Sequence, residues 1–198
     1  EIPSKNIVNV KGKPLIYYTI KASQESNVQE TWVSTDCAKI KKVAQKFNAN
    51  VLDRPKAISQ DFSKSEEALI HFSEKIEFDV LVFIQPTSPL LKSKDINKGI
   101  RLILDEGYNS VFSVYKQHWI PRWTLDIKPI NWKTDNRPMR QETNEEYVEN
   151  GAFYITTKTS LLKSQLRYSG KKNIVVMPLS RSFQIDTLED LKLIQGLL

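Results

Sequence analysis

Cysteine and histidine are scarce in this 198-residue chain, which has one cysteine, Cys37, and two histidines, His71 and His118. A lone thiol excludes an internal disulfide and accords with a reducing, cytoplasmic setting. Two histidines far apart in sequence are too few to build a histidine metal cluster, and surface positions suit them better. No apolar run approaches the roughly 18 residues of a membrane-spanning helix, and no signal-peptide pattern occurs, so no membrane role is expected. Internal repeats and low-complexity tracts are lacking as well. There is no Gly-x-Ser-x-Gly elbow, and Cys37 has no histidine near it in sequence, so no residue stands out as a covalent nucleophile. The basic residues are scattered rather than gathered in a stripe with aromatics, which gives nucleic-acid binding little support. No basic cluster of the nuclear-import type is seen either. The chain begins with Glu1 rather than Met, so the natural N-terminus is expected to lie outside this sequence.

What is present is an ordinary globular balance, with 40% apolar and 26% charged residues. The length is about one domain's worth and sufficient to bury a core. A net charge of +6 suits small polyanions, such as a nucleoside triphosphate or an acidic sugar.

Helical and strand signals alternate along the chain. Pro14 opens a helical pattern in which Leu15, Tyr18 and Ala22 share a face. A strand is read at 30–34, a helix through Ile40, Val43 and Phe47, and a short strand at 51–52. Ser63 and Glu66 have the spacing of a capping box for a helix running toward Ile76. Residues 79–84 form the clearest buried strand, a continuous apolar run of the kind parallel sheets use. Ile96, Ile100 and Ile103 mark the next helix, followed by strands at 110–114, 152–155 and 173–177. A last helix aligns Leu188, Leu191 and Leu198. The alternation predicts an α/β fold, a three-layer open and mainly parallel sheet with helices on both faces, as one domain over residues 1–198. Between 115 and 141 the periodicity fails, and this stretch carries three of the four tryptophans and three prolines. It reads as an inserted arm of loops and short strands, spanning about 115–150, and an aromatic-rich excursion of this kind marks a partner interface.

Function is expected where strands end and helices begin, because turn amides and helix N-termini favour anions there. Lys5 precedes the first helix, ready for phosphate oxygens, and Ser34-Thr35-Asp36 closes a strand, where Asp36 serves equally as a helix cap. Gln85-Pro86-Thr87-Ser88-Pro89-Leu90 follows the apolar strand, stiffened by two prolines. Near the C-terminus Thr187 is spaced to cap the last helix with Asp190, leaving Asp186 outside it, free for a hard cation.

In order, these segments resemble the acylneuraminate cytidylyltransferase family, the CMP-sialic acid synthetases, with the CMP-Kdo synthetases as more distant relatives. The resemblance is carried by Lys5-Asn6, Ser34-Thr35-Asp36, Arg54-Pro55 with the downstream Ser63-Lys64-Ser65 turn, the 85–90 turn, Arg140-Gln141, Asn150-Gly151-Ala152-Phe153-Tyr154 and the 185–190 segment. It runs from residue 2 to about 193. It implies a Rossmann-like nucleotidyltransferase fold that transfers CMP from CTP to a sialic-acid-like, nine-carbon acid sugar. By the same resemblance Lys5 and Asn6 hold the triphosphate and ribose, and Arg54, Ser63 and Ser65 read cytosine. Gln85, Arg140, Gln141 and Tyr154 face the sugar, with Arg140 matching its carboxylate, and Asp186 holds the catalytic Mg2+. The 115–150 region corresponds to a dimerisation arm, so a homodimer is implied.

Three departures accompany the match. The family's first strand and phosphate loop would lie before residue 1. Gln184 stands where a second aspartate is usual, so the expected metal set is Asp186 with a neutral amide beside it. Leu91 stands where an arginine commonly closes the 85–90 turn, with Lys92 next to it. Two alternatives stay open: transfer to a Kdo-type acid sugar, and a non-catalytic nucleotide-binding homologue, for which Gln184 is the best argument.

Overall fold

Proline at the head of an apolar helical repeat sets the first long element. In the computed structural model, which describes residues 2–198, helix α1 (Leu15–Gln24) starts from an extended Pro14 and buries Leu15, Ile16, Ile20 and Ala22. A small antiparallel ribbon, β1 (Asn9–Val10) and β2 (Lys13–Pro14), leads into it. Strands β3 (Trp32–Thr35) and β4 (Asn50–Asp53) pair in parallel around α2 (Ala38–Lys46). Then follow α3 (Ser65–Lys75), β5 (Val80–Ile84), α4 (Ser93–Leu104), β6 (Ser110–Gln117) and β7 (Glu146–Thr157). The chain closes with α5 (Lys158–Ser164), β8 (Lys172–Met177) and α6 (Leu188–Leu197).

The α/β alternation holds, but the pairing is mixed rather than mainly parallel. The four-stranded sheet has the order β5-β7-β6-β8, and β7 runs antiparallel to both neighbours while β6 and β8 are parallel. The cause is the arm. A helical crossover would return the chain parallel, whereas the excursion between β6 and β7 folds back on itself and delivers β7 antiparallel. Strand β7 is also the most buried, with Ala152, Phe153 and Ile155 essentially sealed. The apolar run of β5, expected to be the best buried, is only partly buried at every position, because β5 is an edge strand paired with β7 alone.

Alternation along β7 divides the two faces of the sheet. Phe153 and Ile155 pack with Ile96, Ile100 and Ile103 of α4 in the main core, which also takes Leu91, Val111, Val175 and Met177. Leu91 is therefore an apolar core residue. Gly99 lets the helix sit close, since a Cβ there would lie 2.6 Å from Ile155 Cδ1. On the opposite face Tyr154 meets Phe83 and Tyr168. A second core gathers Val10, Leu15, Leu90, Ile185 and Ile194.

Local details differ from the sequence reading in two places. The carboxylate that closes the start of α3 is Glu67, which accepts from Lys64 N–H at 2.8 Å; Ser63 is occupied in the preceding turn, where its Oγ accepts from Gln60 N–H. In α6 the inward residues are Ile194 and Leu191, whereas Leu188 and Leu198 stay exposed. The arm carries two isolated bridges, Trp123 with Pro129 and Lys133 with Asn136. Trp123 meets Trp132 edge-on at 4.9 Å, and Arg137 lies over the Trp132 ring.

One ion pair ties the start of α4 to the segment before α6. Arg181 grips Asp95 with both guanidinium nitrogens, and the Asp95 side chain is only 3% exposed. Removing one partner of such a pair strands a buried charge and costs about 3–5 kcal/mol. Arg181→Ala should therefore lower the thermal midpoint by roughly 6–20 °C for a domain of this size. Lys116→Ala, which breaks a solvent-exposed pair with Glu145, should leave it unchanged; equal losses in the two variants would refute the distinction.

Candidate functional site

Three segments remote in sequence converge on one cavity of about 480 Å³. The turn after β5 brings Gln85, whose N–H donates to Ala152 O at 3.1 Å. Strand β7 brings Glu149, Gly151 and Tyr154, and the lead into α6 brings Gln184 and Asp186. That last segment is fastened by Ile185, fully buried, whose N–H donates to Thr87 O at 2.8 Å. Asn150 adds a second tie, donating to Ser182 Oγ at 2.9 Å. The expected cap is present: Thr187 Oγ1 accepts from Asp190 N–H at 3.2 Å. In return the Asp190 carboxylate accepts from the Thr187 hydroxyl and N–H and from Asp186 N–H. These donors hold it below the ordinary carboxylate range.

Lys5, from the 3-10 turn Lys5–Ile7, reaches the rim of this cavity and pairs with Asp186 Oδ1 at 2.7 Å. The side chains are 29% and 61% exposed, and a pair this wet has little intrinsic strength. Both groups are thus available to a ligand that offers each a better partner, phosphate to one and a cation to the other.

Gln184 stands two residues before Asp186, and its amide nitrogen donates to Gln85 Oε1 at 3.1 Å and to Ser88 Oγ at 3.4 Å. Asp190 is committed to its cap, and among the described residues no three His, Cys, Asp or Glu side chains gather as a metal cage. A divalent cation here would find one protein carboxylate, Asp186. Magnesium is commonly held by one or two carboxylates with phosphate and water oxygens, so this donor set fits a nucleotide-dependent ion and not a two-carboxylate site.

Tyr154 stands in an aromatic stack, 6.0 Å from Phe83 and 6.1 Å from Tyr168 between ring centroids. Its hydroxyl donates to Glu149 at 3.0 Å. Burial first, and then the Glu149 charge, push its pKa up to about 12, so it acts as a hydrogen-bond donor and never as a base. Arg167 lies over the Tyr154 ring at 5.0 Å and forks onto Glu66 at the start of α3, at 2.7 and 3.0 Å. The guanidinium hydrogen bond holds the Glu66 carboxyl below its usual range. Arg167 and Glu149 had no signal as site residues in the sequence pattern, and Gly151 entered it only as part of the 150–154 motif; only the folded sheet assembles them.

The other expected residues lie outside the cavity lining. Arg54 follows β4, its N–H donating to Thr35 O at 3.0 Å, and its Nε is buried without a partner. Ser34 Oγ, at the end of the neighbouring strand, is orphaned likewise. Buried polar atoms are rarely left unpaired, and two of them at the carboxyl ends of adjacent parallel strands point to a polar ligand. Asn6 sits half-buried beside Lys5, Ser63 braces its own turn, and Ser65 opens α3. Arg140 and Gln141 occupy a short exposed turn of the arm and do not line the cavity with Gln85 and Tyr154. Among the described residues the lining itself holds Glu149, Asp186 and Asp190 but no cation.

The sequence profile of the family described as cytidylyltransferase matches residues 1–197. Over 194 residues the chain is 40% identical to N-acylneuraminate cytidylyltransferase A of Danio rerio, covering 93% of this chain and 45% of that protein. It thus spans about half the length of that relative. Over 215 residues it is 31% identical to the CMP-N,N'-diacetyllegionaminic acid synthase of Legionella pneumophila, covering all of this chain and 90% of that one. A solved CMP:2-keto-3-deoxy-manno-octonic acid synthetase complexed with CTP shares the fold, with a TM-score of 0.76 at 16% identity, over 100% of this chain and 92% of that one.

The Glu66–Arg167 pair generates a pH signature. Because the folded pKa of Glu66 is depressed, the pair stabilises fully above the unfolded value, about 4.3, and that gain drains away as acid protonates the folded carboxylate. The stability difference between wild type and Glu66→Gln, read from urea midpoints, should be largest near about pH 7 and shrink steadily below about pH 4.3. A difference that grows toward acid would have the wrong sign for this pair.

Proposed function

The chain belongs to the cytidylyltransferase family, and we propose that it transfers CMP from CTP to the anomeric hydroxyl of a sialic-acid-like nonulosonic acid, releasing pyrophosphate. The observation that carries this reading is the meeting of Gln85, Tyr154 and the Lys5–Asp186 pair at one cavity, in a chain similar over most of its length to N-acylneuraminate and legionaminate cytidylyltransferases.

In this reading Arg54, with Ser34 and the Ser63–Ser65 turn near the β3–β4 ends, takes the cytosine, which satisfies the orphaned Arg54 Nε and Ser34 Oγ. Asn6 and Lys5 hold ribose and phosphates. The sugar enters beside Gln85 and Tyr154, with Arg140 and Gln141 of the arm covering it and Arg140 forking onto its carboxylate. The sugar hydroxyl attacks the α-phosphorus in line as the bond to pyrophosphate breaks, a transfer that depends on alignment and charge neutralisation more than on covalent help. Magnesium, held by Asp186 with phosphate oxygens, supplies the remaining positive charge when bound. Lys5 exchanges its contact with Asp186 for a phosphate oxygen, which offsets the acidic lining.

The arm completes the proposal. It leaves Leu125, Ile127 and Ile130 largely exposed, Leu125 fully so, and we read this apolar strip as a homodimer contact that brings the arm to a second copy's cavity. Among the described residues no helix is long and apolar enough to cross a membrane; with one half-buried cysteine a cytoplasmic location is proposed.

Two measurements decide these points. With CTP and magnesium, pyrophosphate release should depend on a nonulosonic acid, be weak or absent with Kdo, and fall about 10²–10³-fold in Asp186→Ala with unchanged thermal stability. A faster reaction with Kdo would favour the eight-carbon alternative, and no release with any acid would favour a binding protein. Light scattering should give a dimer mass for wild type and a monomer mass for the doubly substituted Leu125→Asp, Ile127→Asp chain; a dimer in both would exclude the arm as the contact.

A further inference from the structure

The Gln184 amide reaches across the cavity wall to a second amide. Its Nε2 donates to Gln85 Oε1 at 3.1 Å, and Ser88 Oγ stands at 3.4 Å on the other side. The two amides meet in the space where Gly151 has no side chain. A Cβ on Gly151, whose φ is +65°, would collide with Gln184 Nε2 and lie 2.7 Å from Gln85 Oε1. The backbone beside Gln184 is anchored by the buried Ile185, whose N–H donates to Thr87 O.

A carboxamide has two unlike ends, one accepting and one donating. With Gln85 Oε1 occupied by a donor, the Gln85 Nε2 end is left for the cavity that both residues line. We infer that Gln184 is a positioning residue that locks the Gln85 amide with its N–H groups toward the cavity, making this wall a donor that selects a ligand with an acceptor oxygen, a carboxylate or an acyl carbonyl. The donor wall counters an otherwise acidic lining, which makes its direction matter for an anionic ligand. The inference rests on reading this cavity as the acid-sugar pocket. A carboxylate at 184 accepts only, so it would reverse Gln85 and present a carbonyl to the ligand.

The experiment has two arms. In 15N–1H spectra the Gln85 side-chain amide, assigned by its loss in Gln85→Ala, should move downfield in Gln184→Glu at about pH 7 as its protons become donors to the new carboxylate. No movement overturns the inference whether or not the protein is an enzyme. In steady-state kinetics Gln184→Ala should raise KM for the acid about tenfold and Gln184→Glu about a hundredfold, with KM for CTP unchanged. In the Gln85→Ala background neither substitution should add to the loss, because the amide they orient is gone. Full additivity, or an equal rise in KM for CTP, overturns the inference. A moved amide signal in a protein that turns over no acid refutes the enzyme reading alone and leaves the locked amide standing.

Discussion

The missing side chain at Gly151 is the constraint on which the site depends. The turn after β5 and the lead into α6 are 99 residues apart, yet Gln85 and Gln184 meet across that glycine. Its positive φ places it in a region that favours glycine, and the absence of a Cβ lets two amides share the space above β7. Around this contact the remaining ties fall into place: Ile185 N–H on Thr87 O, Asn150 on Ser182, and Arg181 on the buried Asp95. The first two join the lead into α6 to the turn after β5 and to β7, and the third fastens that lead to the start of α4, so its polar groups are held in fixed directions. Preorganised dipoles of this kind are what phosphoryl-transfer sites use in place of covalent chemistry.

Electrostatics set the other boundary. Among the described residues three carboxylates and no cation line a cavity proposed to receive an anion. The Lys5–Asp186 contact resolves part of the conflict, because an exposed pair exchanges partners at little cost. In the proposed reaction Asp186 would hold the magnesium of a bound triphosphate and Lys5 would turn to its phosphate oxygens.

Much of this was legible in the sequence, for identifiable reasons. Proline before an apolar repeat located α1, and Thr187 with Asp190 located the cap of α6, because both signals are local. Long helices with clear period were read correctly in kind, whereas the seven-residue α5 was passed over because two turns carry too little pattern. The direction of β7 was not readable. An apolar run reports burial but not polarity of pairing, and only the fold-back of the arm makes it antiparallel. Among site residues, Gln85, Tyr154 and Asp186 stand on family-like motifs and converge. Gln184 was read by its place in the motif, while the hydrogen bonds of its amide nitrogen to Gln85 and Ser88 depend on a turn 99 residues away that no local pattern encodes. Arg167 clamps Tyr154 to α3 through a contact spanning 101 residues to Glu66, which no local pattern encodes.

The central claim is that one cytidine nucleotide spans the orphaned donors near β3–β4 and the Lys5–Asp186 pair. A crystal structure with CTP and magnesium tests it most directly. The account predicts the base against Arg54 and Ser34, the phosphates on Lys5 in place of its contact with Asp186, and the Gln85–Gln184 contact unchanged. A nucleotide bound away from both groups, with Lys5 still on Asp186, would contradict it.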